Sequence, residues 1–382
     1  MHIFFPKEIA DLEQRVAVVP ETVKKLIAAG YTVSVEKGAG LKAAVSDAAY
    51  EKAGATVAGD VAQAWQQADI VAKINGPVQH PELKKHEAEM IKEGGILIAS
   101  LVPANELDAI KILMQRKVSC FSMSLIPRIT IAQKMDTLSS QASIAGYKAV
   151  LMAAAQLGKY FPLLMTAAGT ITPSKVVILG AGVAGLQAIA TARRLGANVE
   201  AFDIRAAVKE QVESLGAKFI DIPVADAEDA GGYAKEQSES EQERQRQELA
   251  KRLSSADVAI TTALIPGRPA PLLITEEMVK GMPLGSVIVD MAVSQGGNCA
   301  LSEPGQTVER EGVTIIGELN IPATVAIHAS QLYARNMLNL ITHLTVEKQF
   351  NIDLEEVVTD GALLTHDGSC RHEHSRSLLE AS

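Results

Sequence analysis

An α/β fold of two doubly wound, mostly parallel sheets joined by long helices is what this sequence predicts, on three observations. Strand-length apolar runs alternate with helix-length segments along almost the whole chain, the pattern of a sheet covered by helices. The chain has 382 residues, 47% of them hydrophobic, enough for two cores. Two long helix-like stretches, at 143–160 and 323–344, flank a central region. The predicted domains are therefore 1–140 with 330–382, discontinuous, and 141–329.

The first domain reads as a strand at 3–5, a helix at 20–29, a strand at 32–36, then strands at 70–74 and 96–101. Pro20 stands where a helix can start and Gly30 where it can stop. Gly38-Ala39-Gly40 lacks a third glycine three residues on, so this domain has the doubly wound pattern without a phosphate-binding turn. Strands are expected in the second domain at 176–179, 198–202, 219–222, 258–262, 286–291 and 314–316. The first domain would be completed by the C-terminal helix. The tail from Gly368, with Cys370, His372 and His374, reads as a frayed end rather than a metal site.

Composition excludes several function classes. The net charge is −9 and aromatic residues are 4% of the chain, which argues against a nucleic-acid surface. Cys120, Cys299 and Cys370 lie far apart, with neither metal spacing nor an even disulfide framework, as in a reducing compartment. The first residues lack the basic start and long apolar core of a signal peptide. No run approaches the ~20 apolar residues that span a bilayer, so a membrane role is expected only through a partner.

The segment Gly180-Ala181-Gly182-Val183-Ala184-Gly185 carries the most chemistry. It follows the apolar run Val176-Val177-Ile178-Leu179 and opens a helical pattern, and a second strand ends at Asp203, 18 residues past Gly185. Glycines there permit a tight turn, close approach of backbone to a pyrophosphate and close helix–strand packing. A helix N-terminus offers unpaired N–H groups to phosphates. A carboxylate at the end of the next strand accepts hydrogen bonds from a ribose hydroxyl and repels a 2′-phosphate. The expectation is a Rossmann-like site for NAD(H) rather than NADP(H), with Gly180, Gly182, Val183, Gly185, Asp203, Ile204 and Arg205 around it.

Two other segments leave alternatives open. Residues 124–140 carry Arg128, Ile129, Gln133, Asp136 and Ser139 between the first domain and the long helix. Arg128 could meet a phosphate or carboxamide and Gln133 an amide or ribose; equally, Asp136 or Ser139 could simply cap the next helix. Residues 225–247 are strongly polar, with Tyr233 beside Gly231-Gly232. That is a solvated loop, or a hinged lid with an apolar tip that closes over a ligand.

Longer motifs resemble the alanine dehydrogenase/nicotinamide nucleotide transhydrogenase superfamily over nearly the whole chain. They are Pro6-Lys7-Glu8 with Arg15-Val16-Ala17-Val18-Val19-Pro20-Glu21, and Val35-Glu36-Lys37-Gly38-Ala39-Gly40 followed by Ala53-Gly54-Ala55. Three blocks resemble the transhydrogenase branch: the Arg128–Gln133–Asp136–Ser139 segment, Gly231-Gly232-Tyr233-Ala234-Lys235-Glu236, and Thr261-Thr262-Ala263-Leu264-Ile265-Pro266-Gly267-Arg268-Pro269-Ala270-Pro271. The resemblance implies a homodimeric NAD(H)-binding component that passes hydride to NADP on a partner subunit, with a membrane-spanning partner coupling transfer to proton movement. Its place would be the cytoplasmic face of the inner membrane, held by those partners. It further implies that Arg128, Ile129, Gln133, Asp136 and Ser139 surround the nicotinamide, with Gln133 reaching toward the second nucleotide. Tyr233 would close on bound NAD, and Val183, Asp203, Gly232, Gln245 and Leu264 would contact the nucleotide.

The alternative is an alanine-dehydrogenase-like oxidoreductase of a small amino or 2-oxo acid. Those relatives use an arginine, a lysine and a histidine in the first domain. Arg15 and Lys73 resemble the first two, whereas Val102 stands where the histidine is expected. His80 and His86, in a charged segment expected to be exposed, are weak substitutes.

Overall fold

A computed structural model of the chain describes residues 1–222, 239–265 and 269–381. They form two compact units, Met1–Gln141 with the stretch from Ala323 onward, and Ala142–Pro322. The first unit opens with β1 (His2–Phe5), β2 (Thr32–Glu36), β3 (Thr56–Ala58), β4 (Ile70–Asn75), β5 (Ile96–Ser100) and β6 (Ser119–Ser122). These run parallel in the spatial order β3-β2-β1-β4-β5-β6. Successive side chains of a strand point to opposite faces, so each strand feeds two cores. Ile3 and Phe5 join Tyr31, Tyr333 and Leu340 on one side. Phe4 meets Trp65 edge-on on the other, ring centroids 5.9 Å apart.

The second unit begins with a separate hairpin, β7 (Leu164–Thr166) and β8 (Gly169–Ile171). Its main sheet holds β9 (Lys175–Leu179), β10 (Asn198–Phe202), β11 (Lys218–Phe219), β12 (Val258–Thr261), β13 (Val287–Asp290), β14 (Thr307–Arg310) and β15 (Val313–Ile316). The order is β11-β10-β9-β12-β13-β15-β14, parallel except for β14. Val176 and Ile178 pack into one core, Val177 and Leu179 into the other. Both sheets reverse direction of winding beside their first strand, and in such sheets ligands bind past the C-terminal strand ends at that reversal. In the second unit that place is the end of β9, where the glycine loop lies.

On its return the chain forms the helix Ala326–His343 and a short hairpin, β16 (Thr345–Val346) with β17 (Gln349–Phe350). It then adds β18 (Leu363–His366) and β19 (Ser369–Cys370), antiparallel, to the β6 edge. The first unit is thus completed by two strands as well as by the expected helix. The expected frayed tail is corrected too. Cys370 is buried, and His372 Nδ1 accepts the Ser375 N–H at 3.3 Å, opening the helix Glu373–Ala381. Among the described residues there is no cluster of metal-binding side chains, and none of the helices is long and apolar enough to cross a membrane.

Other differences have local causes. β3 is a three-residue edge strand, and β6 reads Ser-Cys-Phe-Ser, so neither has the apolar length that marks a strand. The long helix starts earlier than expected, at Thr137, and ends at Gln156. Asp136 sets that start, its Oδ1 accepting the Ser139 N–H at 2.9 Å.

The helix Val183–Arg194 is pressed against its neighbours through glycine. A Cβ on Gly185 would stand 1.8 Å from the Gly180 carbonyl oxygen, and one on Gly146 would stand 2.0 Å from the Ala184 carbonyl oxygen. Neither backbone can yield cheaply. Gly146→Ala is therefore expected to destabilise the protein by about 3 kcal/mol or more, at the upper end of overpacking effects. Urea unfolding of the variant checks this; an unchanged midpoint would mean the helices separate freely.

Candidate functional site

At the end of β9 the chain turns through Gly180, whose φ of 106° suits glycine. The Gly180 N–H donates to the Phe202 carbonyl at 2.8 Å, tying the turn to β10. Gly182 is the N-cap of the helix Val183–Arg194 and supplies no side-chain cap to its first turn. A Cβ on Gly182 would meet only Arg205 Nη2, at 3.9 Å. The helix therefore presents uncapped N–H groups beside a backbone that has open space in front of it, which fits a pyrophosphate. Val183 and Leu264 are exposed apolar side chains on either side. Leu264 is held there because Thr262 Oγ1 donates to the Gly180 carbonyl at 3.1 Å.

Asp203 lies just beyond β10. Its Oδ2 accepts the Ala181 N–H at 2.7 Å, so the carboxylate is bound to the glycine turn itself. The same carboxylate is clasped by Arg205 through the backbone N, Nε and Nη2, each at 2.9 Å. It is not a bare acceptor waiting for a ribose. Ile204 packs against the sheet core beside Phe202. Gln245 sits on the helix Glu239–Leu253, which meets β10 through Arg252 and Glu200. It is 7% exposed, and its Oε1 is buried with no hydrogen-bond partner among the described residues. Such an orphan acceptor is unusual in a folded chain and suits a ligand donor. Gly232 and Tyr233 lie outside the described residues.

Two supporting residues escaped the sequence reading. Asp290, at the end of β13, is fully buried and accepts from Thr261 Oγ1, Ser302 Oγ and the backbone N–H groups of Ala292, Asn298 and Cys299. Asn298, thus fixed, accepts the Ala263 N–H at 3.1 Å and donates to the Ala263 and Pro271 carbonyls. Together they hold the segment that carries Leu264. The only visible signal was an Asp ending an apolar run and an Asn after Gly296-Gly297.

The remaining predicted residues cluster on one segment of the first unit. Residues Thr130–Met135 form a 3-10 turn anchored by buried Ala132 and Met135. Asn336 and Asn339 both donate to the Lys134 carbonyl, at 2.8 and 2.9 Å. Arg128, Ile129 and Gln133 are left exposed. The Gln133 amide has no hydrogen bond among the described residues. Asp136 and Ser139 bond each other, Oγ to Oδ2 at 2.5 Å, so Asp136 does serve as a helix cap.

The first unit also buries a charged centre. Arg15 Nη2 meets Glu13 at 2.6 Å and its Nη1 donates to Gln141 at 2.8 Å. Lys73 Nζ meets Glu87 at 2.5 Å and Glu8 at 3.9 Å. Burial alone would raise the Glu13 carboxyl, but Arg15 and Asn75 outweigh it and bring it to about 2. For Lys73 burial opposes the charge, yet Glu8 and Glu87 keep its pKa above the usual value. Both cations are therefore charged and already paired. Val102 is an exposed valine with no acid–base capacity. His80, expected on the surface, is 5% exposed; its Nδ1 accepts the Glu82 and Leu83 N–H groups and closes a turn. His86 caps the helix Glu87–Met90.

Comparison with known proteins extends this geometry. Residues 4–145 match the family described as alanine dehydrogenase/PNT, N-terminal domain, and residues 149–373 match its C-terminal domain. The chain is 50% identical over 377 residues to an NAD(P) transhydrogenase alpha subunit of Rhodospirillum rubrum, across 97% of this chain and 98% of that one. Its identity to the alanine dehydrogenase of Bacillus subtilis is 31%, across 85% and 80% of the two chains. A solved structure of transhydrogenase from Sinorhizobium meliloti matches with a TM-score of 0.85 and 42% identity, covering 98% of this chain and 100% of that one.

Glu106 gives the charged centre a pH signature. Burial raises its carboxyl to about 7, against the opposing pull of the Val102 N–H and the Lys73 charge. Its folded pKa thus exceeds the 4.5 of an ordinary glutamate. The folded state holds a proton that the unfolded chain has released, so stability falls as pH rises from 4.5 to about 7 and levels off above. Glu106→Gln should therefore gain on the wild type across that interval. Urea midpoints of both at pH 5 and pH 8 measure it, and a constant difference would contradict it.

Proposed function

The chain belongs to the alanine dehydrogenase/PNT family, on its transhydrogenase side, and we propose that it is the NAD(H)-binding subunit of a proton-translocating NAD(P) transhydrogenase. In this reading hydride passes directly between NADH held here and NADP⁺ held on a partner subunit. Membrane-spanning partners couple the transfer to proton movement and keep this chain at the cytoplasmic face of the inner membrane.

The observation that carries the reading is the glycine turn, with open space before Gly182 and an uncapped helix behind it. Bound NADH would supply the hydride. The chain's own task is to hold, orient and dry. Gly180, Gly182, Gly185 and the first helical turn would take the pyrophosphate, with Val183, Ile204, Gln245 and Leu264 around the adenosine and Gly232 and Tyr233 closing over it. Arg128, Ile129, Gln133, Asp136 and Ser139 would attend the nicotinamide. Transfer between two nicotinamide carbons leaves no proton on oxygen or nitrogen, so approach and orientation suffice and no general acid or base is required. That suits a segment without histidine. An amino-acid dehydrogenase must also bind a carboxylate and move protons. Here Arg15 and Lys73 are paired internally and Val102 holds the third position.

The homodimer finds support in the β7–β8 hairpin. It stands apart from the main sheet and exposes Leu163, Met165 (73%) and Ile171. A lone hairpin is marginal in water, and a second copy of this chain would cover that apolar surface.

Stopped-flow mixing tests the reaction: NADH on this chain should reduce NADP⁺ on a purified NADP(H)-binding subunit only when both proteins are present. Turnover of NADH with pyruvate and ammonia instead would favour the dehydrogenase. Gln133→Asn shortens the reach of an exposed amide. It should slow transfer by about 10²-fold, the scale of a 1 Å misplacement, with NADH affinity nearly unchanged; a wild-type rate contradicts its bridging role. Sedimentation of Leu163→Asp/Met165→Asp should show a monomer where the wild type is a dimer. A monomeric wild type would overturn the dimer.

A further inference from the structure

We infer that Arg205 determines how sharply the glycine-loop site separates a ribose 2′-hydroxyl from a 2′-phosphate, because it competes for the carboxylate of Asp203. The inference rests on the reading of this loop as an NAD(H) site.

An ionised carboxylate has about four lone-pair directions. On Asp203 four donors occupy them: Arg205 N and Nε on Oδ1, Ala181 N and Arg205 Nη2 on Oδ2, all between 2.7 and 2.9 Å. Three of the four come from Arg205. The Asp203 side chain is only 7% exposed and that of Arg205 24%, so water does little to loosen the pair. A ribose hydroxyl gains Asp203 only by displacing some of this fork.

The clasp also changes the charge that an approaching nucleotide meets. Asp203 alone repels a phosphate. Paired with a guanidinium at 2.9 Å, it forms a near-neutral unit whose field fades within a few ångströms. The guanidinium lies beside the phosphate approach, its Nη2 3.9 Å from where a Gly182 Cβ would sit. A planar fork of this kind also suits phosphate oxygens. Asp203 thus favours the hydroxyl and Arg205 the phosphate, and their mutual contact holds each in check.

Calorimetric Kd values for NADH and NADPH on the full chain test this. In Arg205→Ala the carboxylate keeps its backbone donors, regains free lone pairs and stands uncompensated. The NADPH-to-NADH ratio of Kd should rise about tenfold, the size of one charge-assisted hydrogen bond. Arg205→Gln should move the same way by less, and Asp203→Asn should lower the ratio below that of the wild type. Melting curves run in parallel show that each variant is folded. A ratio within twofold of the wild type in Arg205→Ala overturns the inference, as does equal weakening of both nucleotides, which would make Arg205 a common ligand. If the wild type binds neither nucleotide, the NAD(H) reading itself falls, and this inference with it.

Discussion

Everything in the second unit's site depends on one steric constraint: the helix Val183–Arg194 lies against the end of β9 with no room for a side chain. Gly185 approaches the Gly180 carbonyl so closely that a methyl group would overlap it. Gly180 in turn lies where a Cβ would be 2.5 Å from Thr262 Oγ1. Because strand, turn and helix close on each other this tightly, the first turn of the helix is aimed at one point in space. The Ala181 N–H is brought to Asp203 and the Gly180 carbonyl to Thr262. Larger residues would open the turn and scatter these groups.

Buried charge holds the surrounding loops. Asp290 gathers five donors and so fixes the chain from Ala292 to Ser302; Asn298 passes that order on to Ala263. In the first unit the pairs Arg15–Glu13 and Lys73–Glu87 play the equivalent role. Burying ions is costly and such pairs add little net stability. What they supply is position: each donor has one place to go. Glu8 shows the strain of the arrangement. Burial raises its pKa despite Lys73 and the Ile74 N–H, and the nearby Glu87 and Glu13 add to the rise.

The two segments proposed to bind nucleotide solve the same problem differently. The glycine loop uses backbone geometry, which no side-chain choice can imitate. The Arg128–Ser139 segment uses a short 3-10 turn with two buried anchors, and the Lys134 carbonyl is pinned by Asn336 and Asn339 from the helix Ala326–His343. That leaves Arg128 and Gln133 exposed on a backbone that is itself held.

Local sequence was enough for the α/β class, the glycine turn, the long helices and the family resemblance. Apolar alternation, glycine spacing and capping act between near neighbours, and Val176–Leu179 or Gly180–Gly185 carry their meaning within a few residues. Non-local packing decided the rest. β3 and β6 are strands because neighbouring strands in the sheet recruit them, not because Thr56–Ala58 or Ser119–Ser122 insist on it. The tail from Gly368 is ordered because β6 offers an unpaired edge, more than 240 residues earlier in the chain. His80 is buried by a turn it closes itself. Asp203 was recognised by its distance from the glycines, but its partner was not. Whether a carboxylate stands open or clasped is settled by which side chain folds onto it, and only the tertiary structure brings Arg205, Ala181 and Asp203 to a single point.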